Sequence, residues 1–365
     1  MKNFHEIILL NLISAGYLAG AVAATSVSSA TVAPVPTVTG TNLNLPTNAF
    51  GGAIEGVGVN KKGDVFAVDF EGGGQPPSSA FGFFFQTCSG TKNVLSDANP
   101  VFTVPSTGSE KPPLINSIRF MKDNTTVLLA DAANSRVLKV TKNGTSYKLD
   151  TFCSDQRILQ PNDIAVSTRR DSLIFLSGQN YTAHTVAGVS GDLWTCDDGR
   201  ANQFDPSILA AADIHRTNGI ETSPDGKFLY LSSARNVGGQ VVSNKIFRFA
   251  LDQNTGYLLK QAPTLFYDFV DSPSTDIDGM RTDVAGNLFV TRNGDGKVVK
   301  ISPEGKLLAE IVLPGMGGPS SLEFGGSYGS TLFAVGKCAD NATVGCAVSF
   351  ETDSVGKAFS ILQKS

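Results

Sequence analysis

The chain has 365 residues, a length that accommodates one large domain or two domains of ordinary size. Hydrophobic residues make up 41% of the chain, enough for a sizeable core, and the formal net charge is −4. This net charge and a pI near 5.5 argue against nucleic acid or another polyanion as a partner.

The N-terminus has the pattern of a secretory signal peptide. A weakly basic start precedes an apolar run, and Ala21-Val22-Ala23 offers a cleavage site. A membrane anchor is the alternative, but Ser and Gly interrupt the run, and a Ser/Thr/Pro-rich stretch follows in place of a basic stop. We therefore predict a signal peptide over residues 1–23, a lead-in segment over 24–50, and a secreted protein that is free of the membrane after cleavage. Four N-x-S/T sequons agree with export and predict glycosylation: Asn124, Asn143, Asn180 and Asn341.

The chain has five cysteines, all in the part that would remain after cleavage. In an oxidising compartment most of them should pair, and Cys338 and Cys346 are the first expected pair because a short hairpin would join them. Five is an odd number, so at least one thiol should stay free or pair between chains. The absence of any C-x-x-C argues against a zinc ribbon and thioredoxin-like chemistry.

One unit recurs six times between residues 51 and 346. Each copy starts with a polar residue and continues as two short apolar runs around a turn, which is typical of a β-hairpin. The copies are about 53 residues apart, and no helical periodicity separates them. Two β-sandwiches would not repeat one unit six times. The pattern predicts an all-β fold, a six-bladed β-propeller over residues 51–346, with residues 347–365 as a terminal strand or tail. The copies begin at Glu55, Asn116, Asn162, Asn218, Asp278 and Ser320.

The first residue of each copy is polar, whereas the residue two positions later is always apolar. Because equivalent positions of successive blades form a ring, we expect the polar side chains to point into the central channel and the apolar ones to pack between blades. The alternative is that Asn and Asp before Gly are simple turn formers, but Glu55 is a poor turn residue.

A ring of carboxylates and carboxamides predicts a cation in the channel. Burying charges without partners costs several kcal/mol per ion, and a bound cation removes that cost. Every donor is an oxygen, so one divalent cation is expected, with Ca²⁺ the best fit and Mg²⁺, Mn²⁺ and Zn²⁺ as alternatives. Zn²⁺ usually takes His or Cys ligands, and the chain has only three histidines.

The segments AIEGVGV, QPNDIAVS, TNGIETSPDGKFLYLSS and DIDGMRTDVAGNLFVTRN resemble the senescence-marker-protein/gluconolactonase/luciferin-regenerating-enzyme family over roughly residues 50–340. Members are six-bladed propellers with one divalent cation in the channel, and many hydrolyse lactones. Extracellular fungal lactonases of this group share the signal peptide and the cysteines, so the resemblance implies a secreted enzyme of that type, which we expect to be a monomer acting on a small-molecule lactone.

The resemblance also implies roles for individual residues. Glu55, Asn218 and Asp278 would bind the metal, and Asn162 would complete its shell or orient substrate or water. Asp278 would also be the catalytic acid–base residue, while Asn116 is a weaker candidate for contact with substrate. The chain departs from some sugar-lactone hydrolases at Gln160, where those enzymes have an arginine that contacts the substrate.

Four other interpretations remain open. The segment GGSYG around Ser327 matches a serine-hydrolase motif, but it falls in a hairpin turn and not at the required strand-to-helix turn. His215 could approach the channel, and Glu323 could serve carbon–carbon chemistry of the strictosidine-synthase type. A propeller that keeps its cation for stability alone, and acts as a binding protein, is the main alternative to an enzyme.

Overall fold

The computed structural model describes residues 34–45, 50–70, 80–85, 100–105, 110–180, 191–270 and 272–364, with backbone only for 80–85 and 100–101. The predicted signal peptide and Cys88 lie outside the described residues. Residues from Val35 onward form one compact unit.

The described strands form six sheets, and each sheet contains one of the six predicted repeats. The prediction of an all-β propeller is confirmed. Two short strands come first, β1 (Thr37–Thr39) and β2 (Thr41–Asn42). The first two sheets contain β3 (Ile54–Val59), β4 (Val65–Asp69), β5 (Ala80–Phe85) and β6 (Pro100–Thr103), then β7 (Ile115–Phe120), β8 (Thr126–Asp131), β9 (Arg136–Asn143) and β10 (Ser146–Ser154).

The remaining four sheets continue in chain order. The third and fourth contain β11 (Pro161–Val166), β12 (Leu173–Gln179), β13 (Gly191–Asp197) and β14 (Arg200–Gln203), then β15 (Ile220–Thr222), β16 (Phe228–Val237), β17 (Gln240–Ala250) and β18 (Thr264–Asp268). The fifth and sixth contain β19 (Asp276–Thr282), β20 (Leu288–Asn293), β21 (Lys297–Ile301) and β22 (Leu307–Val312), then β23 (Met316–Gly325), β24 (Thr331–Cys338) and β25 (Gly345–Glu351).

The two N-terminal strands pair with the last two sheets. β1 runs parallel to β22, and β2 runs antiparallel to β25, where Thr41 pairs with Ser349. The lead-in segment therefore supplies the outer strand of the last sheet, a pairing that ties the start of the described chain to its end. Since β25 begins at Gly345, the boundary predicted after residue 346 falls inside this strand.

Two short helices were not predicted. α1 (Pro206–Ala211) begins after Asp205, whose carboxylate accepts a hydrogen bond from the Ser207 backbone N–H, and Pro206 suits the first helical position. α2 (Lys357–Gln363) occupies the segment that was expected to be a strand or tail. No helix in the described part of the chain is long and apolar enough to cross a membrane.

The core lies between neighbouring sheets. The apolar residues predicted to pack there are all fully buried: Val57, Ile118, Ile164, Ile220, Met280 and Leu322. One cluster joins β4 of the first sheet to β7 and β8 of the second, and another joins β3 to β24 of the last sheet.

The sole tryptophan, Trp194, packs in the third sheet beside a disulfide. Its ring is fully buried and its Nε1 donates to Asp192 Oδ2 at 2.6 Å. Burial raises the pKa of Asp192 to about 6, against the hydrogen bonds from Leu159 and Trp194 that lower it. Cys153 and Cys196 form the neighbouring disulfide, and the predicted Cys338–Cys346 disulfide is confirmed.

Candidate metal centre

Irregularities in the inner strands place the predicted polar residues at the axis. The pairing register shifts at the leading residue of five repeats, between Ile54 and Val57 in the first and between Ile277 and Met280 in the fifth, for example. In the fourth repeat, Asn218 lies two residues before β15. A bulge turns a side chain away from the regular alternation of a strand, which explains how a polar residue leaves the sheet and faces the channel.

Bulges leave backbone groups unpaired, and hydroxyls on the adjacent strands satisfy them. The Ser177 Oγ accepts from the Asp163 N–H at 3.1 Å, and the Ser232 Oγ accepts from the Asn218 N–H at 3.1 Å. The inner strands also approach one another closely, since a Cβ on Gly219 would lie 2.2 Å from the Asp278 carbonyl oxygen. The glycines that follow Asn218 and Asp278 are therefore needed because a side chain at either position would collide with the neighbouring inner strand.

All six leading residues line one small cavity of about 10 Å³, a volume that holds a single water or ion. The structure thus brings together side chains that are up to 265 positions apart in the chain, Glu55 and Ser320 being the extremes. Four of the six are nine-tenths or more buried and carry a carboxylate or a carboxamide: Asn116, Asn162, Asn218 and Asp278.

Asp278 is the most strongly perturbed group at this cavity. Burial, the largest cause, and the negative charge of Asp276 together raise its pKa to about 7, against hydrogen bonds from Asn293 and Asn218 and the charge of Arg216, which act to lower it. The Asn293 Nδ2 donates to the Asp278 Oδ2 at 2.9 Å and fixes the orientation of the carboxylate. A buried carboxylate of this kind is stabilised in its ionised form by a cation.

Asn293 is a functional residue that was not predicted from the sequence. Asn293 ends the segment DIDGMRTDVAGNLFVTRN, and pairing of β19 with β20 sets it opposite Asp276, two residues before Asp278. The hairpin spacing is the signal that would have found it.

The donor set fits a hard divalent cation. The Oδ1 of Asn218 is buried and has no hydrogen-bond partner in the described part of the chain. An unpartnered buried carbonyl oxygen is costly, and a cation would satisfy it. The described residues contain no group of three or more His, Cys, Asp or Glu side chains that could hold a metal, because this ring has only two carboxylates and takes its other oxygens from amides.

Ser320 completes the ring but differs from the other members. Its hydroxyl can donate a hydrogen bond to either of two backbone carbonyl oxygens, that of Ile54 at 2.6 Å and that of Val335 at 3.3 Å. It links the last sheet to the first and is held away from a role as a primary ligand.

A second, open cavity of about 620 Å³ shares Glu55, Asp278 and Ser320 with the small one. Its described lining also includes Asn293, Gln160 and the apolar side chains of Phe70 and Leu114. The oxygen ring therefore lies at the floor of a space large enough for a small molecule.

On the other side of the ring, a network of three basic and three acidic side chains fills the channel. Asp163 lines the small cavity and accepts from Ser117 Oγ at 2.8 Å and Arg281 Nη1 at 3.2 Å, and it also contacts Arg119. The Arg281 Nε donates to the Glu323 Oε2 at 3.1 Å. Lys357 of α2 completes the network on Glu221.

The other predicted candidates lie elsewhere. The His215 Nε2 lies 2.9 Å from the Asp213 Oδ1, and His215 is absent from the described lining of both cavities. Ser327 is exposed in the turn between β23 and β24, without the helix that a serine-hydrolase motif requires. Glu323 is buried in the ion network, where burial raises its pKa.

Comparison with known families identifies this architecture. Residues 97–335 match the family model described as the SMP-30/Gluconolactonase/LRE-like region, which is more than half of the chain. The chain belongs to this family. The matched segment contains Asn116, Asn162, Asn218 and Asp278, whereas Glu55 lies before it.

Individual relatives of the SMP-30/gluconolactonase/LRE-like family agree at low identity. A 6-deoxy-6-sulfogluconolactonase from Pseudomonas putida is 28% identical over 150 residues, 40% of this chain and 48% of that protein. An uncharacterized Sulfolobus acidocaldarius protein is 33% identical over 122 residues, 33% of this chain and 40% of that protein. The chain thus spans about half or less of the length of the curated relatives it matches.

Solved structures share the fold. Regucalcin from Agrobacterium tumefaciens, a calcium-binding protein, superposes with a TM-score of 0.64 at 17% identity, covering 88% of this chain and 97% of regucalcin. A gluconolactonase from Xanthomonas campestris superposes with a TM-score of 0.57 at 15% identity, covering 87% of this chain and 99% of the enzyme. At these identities the likeness establishes the fold alone.

Proposed function

We propose that this protein is a secreted, divalent-metal-dependent lactonase that hydrolyses a cyclic ester of the sugar-lactone type. The observation that carries the proposal is the ring of oxygen-bearing side chains, with the unpartnered Oδ1 of Asn218, at the floor of an open cavity. Membership of the SMP-30/gluconolactonase/LRE-like family supports this substrate class.

Glu55, Asn162, Asn218 and Asp278 would hold the cation, with Ca²⁺ the best fit to an all-oxygen donor set. When bound, the cation would polarise the lactone carbonyl and lower the pKa of a nearby water. Regucalcin, which is described as calcium-binding, shares the fold and supports the assignment.

Asp278 is the proposed general base. Its Oδ2 is held by Asn293, so the carboxylate keeps one orientation towards the cavity. Asp278 takes a proton from the attacking water and later returns it to the alkoxide oxygen released from the ring. Asn162 would orient the water or the carbonyl, and Asn116, which lines the same cavity, would contact substrate.

Export is part of the proposal. The two disulfides favour an oxidising compartment, in agreement with the predicted signal peptide. Of the predicted glycosylation sites, Asn143 and Asn341 are exposed.

The test is acid release from a panel of lactones, measured with a pH indicator in CaCl₂ and after chelation. We expect turnover that chelation abolishes and that Asp278→Asn lowers at least about 100-fold, with near-ultraviolet circular dichroism unchanged. Asp340→Asn, at an exposed position outside both cavities, is the matched control. A protein that binds the cation but turns over no lactone would instead be the binding protein considered above.

A further inference from the structure

The open cavity has two lysines in its wall. Lys111 precedes β7 of the second sheet and Lys337 lies on β24 of the last sheet, and they are the only cationic side chains among the described residues that line the cavity. Both lysines are exposed, and neither belongs to the ion pairs found in the described part of the chain. Two unpaired positive charges therefore face the space above the oxygen ring.

The backbone and a glycine direct Lys337 towards the ring. A Cβ on Gly318 would lie 2.5 Å from Lys337 Cε and 2.9 Å from Asn293 Oδ1. The aliphatic stem of Lys337 thus crosses Gly318 next to Asn293, the side chain that holds Asp278. The Cys338–Cys346 disulfide starts at the following residue and fixes this end of β24.

Lys111 is held by its main chain. Its carbonyl oxygen accepts from the Asn134 Nδ2 at 3.1 Å, and its neighbour Glu110 is occupied by Arg136, with both nitrogen–oxygen distances at 3.0 Å. Because Arg136 neutralises Glu110, the charge of Lys111 is left for another partner.

The balance of charge then depends on the cation. Glu55 and Asp278 at the floor are acidic, and a divalent cation between them would cancel their charge. The two lysines would then give the cavity a net positive potential, which favours an anion in a concave site. Gln160, which lines the same cavity, is neutral and adds no positive charge to it.

We infer that the preferred substrate is a lactone with an anionic substituent, a carboxylate or another oxyanion group, that pairs with Lys337 and Lys111. This inference rests on the proposed lactonase function. It assigns the two lysines to substrate selection, while the oxygen ring remains the place of the chemistry.

Two lactones that differ in one group provide the test. D-Glucaro-1,4-lactone has a carboxylate where D-glucono-1,4-lactone has a hydroxymethyl group, and both have the same ring. The ratio of kcat/KM for the two lactones is measured in wild type, Lys337→Met, Lys111→Met and the double variant. Lys62→Met, an exposed lysine in the turn between β3 and β4, is the control.

We expect wild type to prefer the anionic lactone, each cavity variant to lower the ratio about threefold, and the double variant to lower it about tenfold. Added salt should lower the wild-type ratio in the same direction, and Lys62→Met should leave it unchanged. A wild-type preference for the neutral lactone, or ratios that the lysine variants leave unchanged, would overturn the inference.

Failure of the proposed function is distinguishable from failure of this inference. If wild type hydrolyses neither lactone, calorimetric binding of the same pair replaces turnover. Tighter binding of the anionic lactone that is lost in the double variant would retain the lysine assignment, and equal binding of the two lactones would reject it.

Discussion

Removing the Lys357 ammonium should destabilise the protein strongly. Lys357 and Glu221 are both buried, with 5% and 4% of their surfaces exposed, and the Lys357 Nζ also donates to the Thr222 carbonyl oxygen at 3.0 Å and to its Oγ1 at 2.6 Å. Lys357→Met keeps the apolar stem and leaves Glu221 as a buried carboxylate without its main partner. Breaking a buried ion pair in this way costs about 3–5 kcal/mol.

This free energy converts to a shift in melting temperature. With an unfolding entropy of about 2.1 cal/mol/K per residue over the compact unit that starts at Val35, 3–5 kcal/mol corresponds to a Tm lowered by about 4–7 °C. The assay is thermal and urea unfolding followed by circular dichroism. Lys364→Met, which removes an exposed lysine from the end of the same helix, should change stability by less than about 0.5 kcal/mol.

A double-mutant cycle separates the ion pair from general damage. Glu221→Gln in the Lys357→Met background removes the buried carboxylate charge that has lost its partner. The double variant should therefore be more stable, by about 2 kcal/mol, than the sum of the two single effects predicts. A Tm within 1 °C of wild type for Lys357→Met, or an additive cycle, would refute the buried network as a stabilising unit.

Three further predictions follow from single contacts. Because burial raises the pKa of Asp192 to about 6, the folded state holds its proton more tightly than the unfolded state does, so wild-type stability should fall by up to about 3 kcal/mol between pH 4 and 7; Asp192→Asn should remove this fall in urea titrations at several pH values. Asn293→Ala should weaken Ca²⁺ binding about 10–100-fold in calorimetry, since it frees the carboxylate it orients. Replacing Cys338 and Cys346 with serine opens a loop with a sequence separation of 8 and should cost about 2.5 kcal/mol in unfolding free energy.

The sequence predicted the fold because each repeat contains its own local signals. Each repeat has a polar leading residue, an apolar residue two positions later and then a turn, always in this order. Each copy forms the inner part of one sheet. The two helices were not predicted because they are short. Asp205 and Pro206 favour the start of α1, but a helix of six residues is too short to show a helical periodicity in the sequence.

The ring of polar side chains was predictable for a related reason, since equivalent positions in repeated units meet at the axis. The residues that support the ring were not predicted. Asn293 depends on the hairpin register of β19 and β20, a signal that lies within one repeat but was not used. Lys337 depends on the room that Gly318 leaves, which the spacing of one repeat does not encode. Lys357 and Glu221 are 136 residues apart in the chain, and no local sequence pattern predicts that they pair.

Calorimetric titration of Ca²⁺ into chelator-treated protein tests the metal centre most directly. The account predicts one site per chain in wild type, with binding lost in Asp278→Asn and Asn218→Ala and retained in Asp340→Asn. Wild-type protein that takes up no Ca²⁺, Mg²⁺ or Mn²⁺, or binding that survives both ring substitutions, would contradict it.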